Sequence, residues 1–449
     1  MAFLTIVASC KFPASQNESS ETVSATTATV AHPDWLLQSN VYEVNIRQYT
    51  PEGTFRAMAG HFDRLRNMGV EILWLMPVTP ISKIDRKGTL GSYYAVAHYT
   101  QVNPEFGTME DFKWFVNEAH RKGFKVIIDW VANHTGADHP WVTKNKNFYN
   151  LDSVGNPKYV YDWTDTRELN FDNKAMRDSM TESMKYWIRE TNIDGFRCDV
   201  AGEVPDDYWA EAIPQLRAMK EIFMLAEGDK PSLHSVGFNA TYPWDMFQAM
   251  KRVAAGATDA LVIDTLLQRL DTFPKGAVRM YFTSNHDENS WNKSDYETFP
   301  GSSHAPFAVL TQTLRASVPL IYSGQEEPVL RAISFFEKDS MGFKNYARAE
   351  FYNRLLQLRK NNKALSADAA FTKIQTGNDK SVYSFVRSSG NDKVFVIVNL
   401  SANAQTASIN SEMLNGTGRN IFDGQQHDFS NSKNISLEPW AYKVFEIGK

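Results

Sequence analysis

Three acidic residues stand at the ends of apolar, strand-like runs, where a carboxylate is unusual unless it has a partner or a chemical role. Asp199 ends the run Ile-Asp-Gly-Phe-Arg-Cys-Asp, Glu227 ends Ile-Phe-Met-Leu-Ala-Glu, and Asp287 follows Met-Tyr-Phe-Thr-Ser-Asn-His. A buried carboxylate is costly unless it is paired, so any one of these acids could be binding a backbone amide or an arginine. Three together favour one shared site. Two facing carboxylates can cleave a glycosidic bond, because one attacks the anomeric carbon while the other protonates the leaving oxygen.

The elements that carry these acids alternate between strand-like and helical patterns. The strand-like runs are 41–46, 72–78, 126–131, 193–199, 222–227, 279–284 and 320–323, with a weaker run at 237–242. Helical patterns lie between them at 55–68, 109–122, 174–191, 207–220 and 346–360. Alternation of this kind, repeated about eight times, predicts an α/β fold of the (β/α)8 or TIM-barrel type. An open doubly wound sheet is the rival, but no Gly-rich phosphate loop supports it. In a barrel the carboxyl ends of the strands build one pocket, so the three acids are predicted to meet there.

Two segments depart from the alternation and predict additional domains. Residues 132–173 are polar, irregular and rich in aromatics, which predicts a small excursion domain after the third strand. Strand-like runs continue after Asn361 without helices between them, so residues 365–449 are predicted to form a C-terminal antiparallel β-sandwich. The catalytic barrel is then predicted to span residues 35–364.

Composition excludes several classes of function. The chain has 47 basic and 52 acidic residues, a net charge of −5, and no basic stripe, so no nucleic-acid partner is predicted. No apolar run approaches the roughly 18 residues of a membrane helix. Aromatic residues are plentiful, and flat rings can stack on sugars, although most of them are expected to pack in the core. No organic cofactor is predicted.

The N-terminus resembles a bacterial lipoprotein signal. An apolar run, Phe-Leu-Thr-Ile-Val, is followed by Ala-Ser-Cys10, and the next twenty or so residues are rich in Ser, Thr, Asn and Glu. Residues 1–34 are therefore predicted to be a signal and a flexible tether, with membrane attachment only through a lipid on Cys10. The run is short and no Lys or Arg precedes it, so ordinary secretion or an N-terminus without a targeting role stay open. Cys198 is the other cysteine, which makes a disulfide framework improbable.

Four motifs in order resemble those of α-amylase-type enzymes of glycoside hydrolase family 13. They are Asp129-Trp-Val-Ala-Asn133-His134, Gly195-Phe-Arg197-Cys-Asp199, Leu225-Ala-Glu227-Gly and Phe282-Thr-Ser-Asn285-His286-Asp287. The resemblance extends over roughly residues 35–445. Each motif is weak by itself, and their order and their places on predicted strand ends make the signal specific.

The resemblance implies a role for each acid. Asp199 is expected to be the nucleophile that forms the glycosyl-enzyme, Glu227 the general acid and then the base, and Asp287 the residue that binds and distorts the sugar in the −1 subsite. Arg197 is expected to bind the substrate region and to pair with Asp199, keeping that acid ionised at neutral pH. Glu227 is expected to have a raised pKa, so that it can donate a proton.

The resemblance also implies a set of substrate-binding residues. His134 and His286 are expected to hydrogen-bond hydroxyls of the same sugar. Tyr94 is expected to be the stacking aromatic, with Tyr93 as the competing choice. His98 is assigned to the same corner of the −1 site, where the family commonly has an acid, so the local charge is expected to differ.

Other departures from the family concern the residues around the +1 sugar and the candidate ligands of a calcium ion. Gly202 and Glu203 stand where many amylases have Lys and His, so a lysine contact to the +1 sugar is expected to be missing. Asn133 is a candidate ligand for calcium, together with acids such as Asp165 or Asp172, because hard oxygen ligands suit that ion. Capping of a loop is an equally tenable role for Asn133.

The resulting prediction is a retaining hydrolase of α-1,4-glucosidic bonds in starch-type α-glucans or maltodextrins. Trp163 and Trp291 are candidates for outer sugar subsites, or else loop packing. A glucanotransferase with the same mechanism and a non-catalytic α-glucan-binding protein are the alternatives. The protein is expected to be exported.

Overall fold

The computed structural model describes residues 29–448, and its largest sheet contains eight parallel strands. We label them β1 (Val41–Val44), β2 (Ile72–Leu75), β3 (Lys125–Val131), β4 (Gly195–Asp199), β5 (Phe223–Ala226), β6 (Ala240–Thr241), β7 (Val278–Arg279) and β8 (Leu320–Tyr322). Their spatial order is β8-β1-β2-β3-β4-β5-β6-β7. The two outer strands also meet, since Ser317 pairs in parallel with Arg279 and the Val318 amide donates to Arg279 O at 3.0 Å. The predicted (β/α)8 barrel is confirmed.

Helices cover the outside of this barrel. Within residues 29–448 the α-helices are Ile46–Tyr49, Phe55–Ala59, Phe62–Met68, Met109–Arg121, Pro140–Lys144, Lys174–Thr191, Asp206–Arg217, Pro231–Ser235, Trp244–Ala254, Val262–Arg269, His286–Asn292, His304–Thr313 and Ala349–Asn361. Short 3-10 helices lie at Lys146–Phe148, Leu270–Thr272, Gly301–Ser303 and Lys363–Leu365. Side-chain capping explains where one of these helices begins. Thr108 and Asp111 form a reciprocal capping box at the start of Met109–Arg121.

Two elements differ from the sequence-based expectation. The single helix predicted over 55–68 is two helices separated at Gly60, a residue type that weakens a helix interior. Of the run 279–284, only Arg279 lies within a strand, Val278–Arg279, although Met280 and Tyr281 still hydrogen-bond to Thr241 and Leu320 of the neighbouring strands. Beyond it, Thr283 accepts hydrogen bonds from the side chains of Gln325 and Ser294, at 2.8 and 2.6 Å, instead of pairing with a neighbouring strand.

The connection after β3 forms a small structure of its own on the rim. Two short strands, His134–Gly136 and Thr166–Glu168, pair antiparallel, and the helix Pro140–Lys144 lies between them in the chain. We call residues 132–173 the excursion. It stands over the carboxyl ends of β3 and β4, beside the predicted pocket.

The C-terminal part is a β-sandwich. Its strands are β9 (Ala370–Lys373), β10 (Val382–Ser389), β11 (Asp392–Asn399), β12 (Gln405–Ser408), β13 (Thr417–Asn420), β14 (Gln426–Asp428), β15 (Asn434–Leu437) and β16 (Tyr442–Ile447). A six-stranded sheet in the order β9-β10-β11-β16-β13-β14 packs against the antiparallel pair β12-β15. Side chains alternate between the two faces. Phe395 and Ile397 face the sandwich core, while Phe385 and Val396 join the core shared with the barrel.

The prediction of membrane attachment concerns the N-terminal residues, while the described helices can be compared with a membrane span. Along residues 29–448, none of the helices combines the length and the apolar character needed to cross a bilayer. Cys10 lies outside the described residues, so its lipidation stays a prediction.

A buried arginine fastens the sandwich to the barrel. Arg387 on β10 donates from Nη1 to Thr313 O and Leu314 O, at 2.8 and 2.7 Å, and from Nη2 to Ser366 O at 2.6 Å. Burial lowers the pKa of Arg387 to about 10. The guanidinium is therefore the hydrogen-bond partner of several carbonyls at the end of the helix His304–Thr313.

Arg387→Met should destabilise the protein strongly, because it leaves these buried carbonyls without donors. We expect the free energy of unfolding to fall by at least about 3 kcal/mol, measured by urea denaturation. Arg419→Met is the control, since Arg419 on β13 is 58% exposed and forms a surface ion pair with Glu446, worth about 1 kcal/mol or less. Equal losses for the two variants would contradict this role for Arg387.

Candidate active site

The strand ends bring the three predicted acids to one cavity. Asp199 is the last residue of β4, Glu227 directly follows β5, and Asp287 lies in the first turn of the helix after β7. All three line a cavity of about 430 Å³. Parallel strands of a barrel all end at the same rim, which explains why residues 88 positions apart can share one pocket.

Arg197 holds three carboxyl groups together at the base of this cavity. Its buried guanidinium donates from Nη1 to Asp129 Oδ1 and to Asp199 Oδ1, both at 3.0 Å. Its Nη2 lies 3.0 Å from Glu227 Oε2, which also accepts a hydrogen bond from the Val200 amide at 2.8 Å. One cation therefore serves acids from β3, β4 and the end of β5.

This sharing affects the proton affinity of the nucleophile candidate. Burial and the nearby charge of Glu227 raise the pKa of Asp199, and Arg197 only partly offsets them. Burial likewise raises the pKa of Asp129 to about 6, against the effect of Arg197. The expectation that Arg197 keeps Asp199 ionised at neutral pH stays a prediction, in a site where one positive charge is divided among three carboxyl groups.

A second charged pair crosses the barrel beside this cluster. His286 Nδ1 lies 2.5 Å from Oε1 of Glu43, a buried residue of β1. His286 Nε2 lies 2.8 Å from the Tyr94 hydroxyl and 3.3 Å from Asp287 Oδ2. Burial opposes the charged form, but Asp287 and Glu43 together raise the pKa of His286 to about 9, against the more distant charge of Arg197. His286 is thus an imidazolium at neutral pH, with both ring nitrogens facing hydrogen-bond acceptors.

Sequence reasoning assigned no role to Glu43, Asp129 or Tyr242. Tyr242 accepts a hydrogen bond from Arg197 Nε at 3.1 Å. A usable signal was present for all three, because each is a polar group within or next to an apolar barrel strand. Such a residue is buried and therefore needs a partner.

Tyr94, rather than Tyr93, lines the cavity. Its ring lies nearly parallel to that of His286, with centroids 5.5 Å apart, and to that of Phe335, at 6.3 Å. Its hydroxyl donates to Asp129 Oδ2 at 3.1 Å. Tyr93 is buried instead beneath the guanidinium of Arg47, 4.4 Å from the ring centroid.

The two remaining histidines that the sequence assigned to substrate binding, His134 and His98, have different environments. His134 lines the cavity, its Nε2 is buried without a partner in the described structure, and burial lowers its pKa to about 4. A neutral ring with a free nitrogen suits a sugar hydroxyl. His98 is not among the cavity-lining residues. Its Nδ1 accepts from the Thr100 amide at 3.2 Å and its ring packs beside His139, and its part in substrate binding stays a prediction.

Each of the proposed calcium ligands has its own surroundings in the structure. The Asn133 amide lies 3.4 Å from His134 Nδ1, Asp165 faces the Lys87 ammonium at 4.0 Å, and Asp172 is exposed. Within residues 29–448, no three His, Cys, Asp or Glu side chains form a group that could hold an ion. Calcium binding by Asn133 stays a prediction.

A lysine does reach the acceptor side, but from another loop. Gly202 and Glu203 line a second cavity next to Glu227. Lys230, three residues after the general acid candidate, donates from Nζ to Gly202 O at 2.5 Å. A cation from the neighbouring loop therefore lies beside Gly202 in this cavity.

Aromatic side chains border the first cavity. Trp291 is 53% exposed and packs on Phe335 and Phe336, with ring centroids 5.3 and 5.7 Å away. Trp163 of the excursion lies 5.4 Å from the His134 ring. Both tryptophans line the cavity and present ring surface at which a sugar could stack.

Family profiles match both parts of the chain. The profile described as the α-amylase catalytic domain matches residues 11–166 and 158–259, more than half of the chain. The profile of the maltogenic amylase C-terminal domain matches residues 371–444. The first match includes strands β1 to β6 of the barrel, and the second lies within the sandwich.

Individual relatives share about a quarter of their residues with this chain. α-Amylase MalA of Haloarcula japonica is 25% identical over 401 residues, covering 84% of this chain but only 57% of that protein. α-Amylase 3 of Dictyoglomus thermophilum is 24% identical over 469 residues, covering 84% and 88%. The solved structure of the maltogenic α-amylase AmyB from Thermotoga neapolitana has a TM-score of 0.81 at 25% identity, covering 92% of this chain and 97% of that one. An α-amylase from Lactobacillus plantarum has a TM-score of 0.82 at 26% identity, covering 92% and 99%. The chain therefore belongs to the α-amylase family of glycoside hydrolases.

Proposed function

We propose that this protein is a retaining hydrolase of α-1,4-glucosidic bonds in starch-type α-glucans or maltodextrins. One observation carries the proposal: Asp199 and Glu227 line the same cavity, and each lies 3.0 Å from a nitrogen of the same guanidinium. Two carboxyl groups that contact one guanidinium at the wall of one cavity can supply the nucleophile and the general acid of a retaining mechanism. The same fold holds maltose or maltotriose in structures of AmyP, at 17% identity.

In the first step Asp199 acts as the nucleophile. Its Oδ1 is held by Arg197, and Oδ2 attacks the anomeric carbon. Glu227 gives its proton to the glycosidic oxygen as the bond from that oxygen to the anomeric carbon breaks. The leaving sugar departs as an alcohol, and the remaining sugar is bound to Asp199 as an ester.

In the second step Glu227 acts as a base. It takes a proton from water, whose oxygen attacks the anomeric carbon and displaces the Asp199 carboxylate. Asp287 and the protonated His286 bind hydroxyls of the sugar throughout, and His134 offers its free nitrogen to a further hydroxyl. The negative carboxyl cluster favours the positive charge that develops at the anomeric carbon.

Maltoheptaose should be converted to shorter maltooligosaccharides only, as followed by timed chromatography. Asp199→Asn keeps the shape of the side chain and should lower kcat/KM by about 10⁴-fold or more, because no ester can form. Products longer than the substrate would show that a sugar replaces water and that the protein is a glucanotransferase. Unchanged but bound substrate would indicate a binding protein, and full activity of Asp199→Asn would refute the mechanism.

Glu227→Gln should separate proton donation from nucleophilic attack. We expect loss of activity on maltoheptaose, whose leaving alcohol needs a proton, by about 10²-fold or more. The first step with an aryl glycoside that has a 4-nitrophenolate leaving group should be nearly unaffected, and is seen as a burst of nitrophenol in stopped-flow measurements. Asp199→Asn is the matched comparison and should show no burst. Equal losses on both substrates would remove Glu227 from the acid role.

Glu43→Gln should change the proton affinity of His286 without changing the shape of the site. His286 is protonated at neutral pH and loses its proton as the pH rises through about 9. Without the Glu43 charge, we expect the pKa of His286 to fall below 9, so that kcat/KM declines at a lower pH on the alkaline side. NMR titration of the ring nitrogens measures the pKa directly. Glu71→Gln, just before β2, is the control, and an unchanged His286 titration in Glu43→Gln would contradict the assigned pairing.

A further inference from the structure

The cavity that holds the acids continues into a second cavity at the general acid candidate. The second cavity, of about 380 Å³, shares Val200 and Glu227 with the first. Asp199, Asp287 and His134 line only the first. Because the acid protonates the oxygen of the leaving group, the attacked sugar and its non-reducing side lie in the first cavity, and the leaving chain lies in the second.

A loop between β2 and Tyr94 forms part of the wall of the first cavity. We call residues 85–90 the rim bridge. On one side the bridge contacts the excursion: the Asp85 carboxylate accepts from Arg167 Nη2 at 2.9 Å, and Lys87 Nζ donates to Asp162 O at 3.0 Å. These contacts tie the loop to the hairpin that covers β3 and β4.

On its other side the rim bridge contacts the loop that follows β8. The Thr89 amide donates to Glu337 Oε1 at 2.8 Å, and the Leu90 amide donates to Phe336 O at 3.0 Å. At Gly88, with φ at 62°, an added Cβ would lie 2.5 Å from Phe336 Cβ. The backbones therefore approach so closely that no gap for a sugar chain is left between the two loops.

Two arginine side chains form further hydrogen bonds that hold the rim bridge in place. The buried Arg47 donates to Leu90 O and Gly91 O, each at 3.3 Å, and Arg86 Nε donates to Ser82 O at 2.8 Å. All three linked segments supply lining residues to the first cavity, among them Lys87, Asp162 and Phe336. The hydrogen bonds thus join the excursion, the bridge and the loop after β8 into one continuous wall.

We propose that the rim bridge closes the non-reducing side of the first cavity, so that the enzyme accepts only the end of an α-glucan chain and releases a short saccharide from it. This inference rests on the proposed hydrolase function. A cavity of about 430 Å³ is at the small end of ligand pockets, which suits a short glycone. A chain that continued past the glycone would have to pass through the hydrogen-bonded wall.

The test compares two maltoheptaosides that differ only at the non-reducing end, one free and one capped by a benzylidene acetal. Chromatography follows the loss of each. We expect kcat/KM to be at least about 10-fold lower for the capped chain, and only short saccharides to leave the free chain at the earliest times. Equal rates, or early products of mixed length, would overturn the proposal. No cleavage of either substrate would refute the hydrolase function instead.

Two variants test whether the rim bridge causes the difference in kcat/KM between the capped and the free chain. Lys87→Ala removes the link to Asp162 and opens space in the wall, so the ratio of capped to free kcat/KM should rise by about 10-fold. Lys83→Ala changes an exposed lysine just before the bridge and should leave the ratio unchanged. Thermal unfolding of both variants checks that they fold. If Lys87→Ala, folded as wild type, shows the Lys83→Ala ratio, the rim bridge does not set the discrimination.

Discussion

The site depends on one buried guanidinium surrounded by carboxyl groups. Without Arg197, the acids contributed by β3, β4 and the end of β5 would face one another in a low dielectric with no counter-charge, which is strongly unfavourable. The rings of Trp74 and Tyr242, with centroids 5.0 and 5.4 Å from the guanidinium carbon, enclose it on two sides. Arg197 therefore determines both where the acids lie and how they share protons.

The pocket nevertheless keeps an excess of acids over cations. Arg197 and the protonated His286 are outnumbered by the carboxyl groups around them, which are Glu43, Asp129, Asp199, Glu227 and Asp287. Burial and the nearby charge of Glu227 raise the pKa of Asp199, and the excess of acids also suits a reaction in which positive charge develops on the sugar. Pre-arranged negative groups stabilise such a transition state without reorganising. The cost of burying the acids and the benefit to the chemistry thus have the same origin.

The barrel supplies the acids, and the loops decide which substrates can reach them. Strands β4, β5 and β7 end at a common rim, whereas the excursion, the rim bridge and the loop after β8 shape the space above it. Loops are well suited to this role because they are not constrained by the ladder of the sheet. Lys230 illustrates the point, since it brings a cation to Gly202 O from a neighbouring loop.

The sequence by itself determined the barrel, the sandwich and the three acids at strand ends. These features rest on local patterns: apolar runs of strand length, helical periodicity, capping residues, and acids placed where an apolar strand stops. The places of Tyr94 and His134 at the cavity also followed from short motifs.

Only the tertiary structure decided the pairing of His286 with Glu43, which are 243 positions apart, and the packing of His98 beside His139. It also decided the raised pKa of Asp199 and the closure of the rim by residues 85–90. Each of these depends on distances between segments that are remote in the chain. Such distances follow from strand order, barrel closure and loop geometry, and no local pattern of residues encodes them.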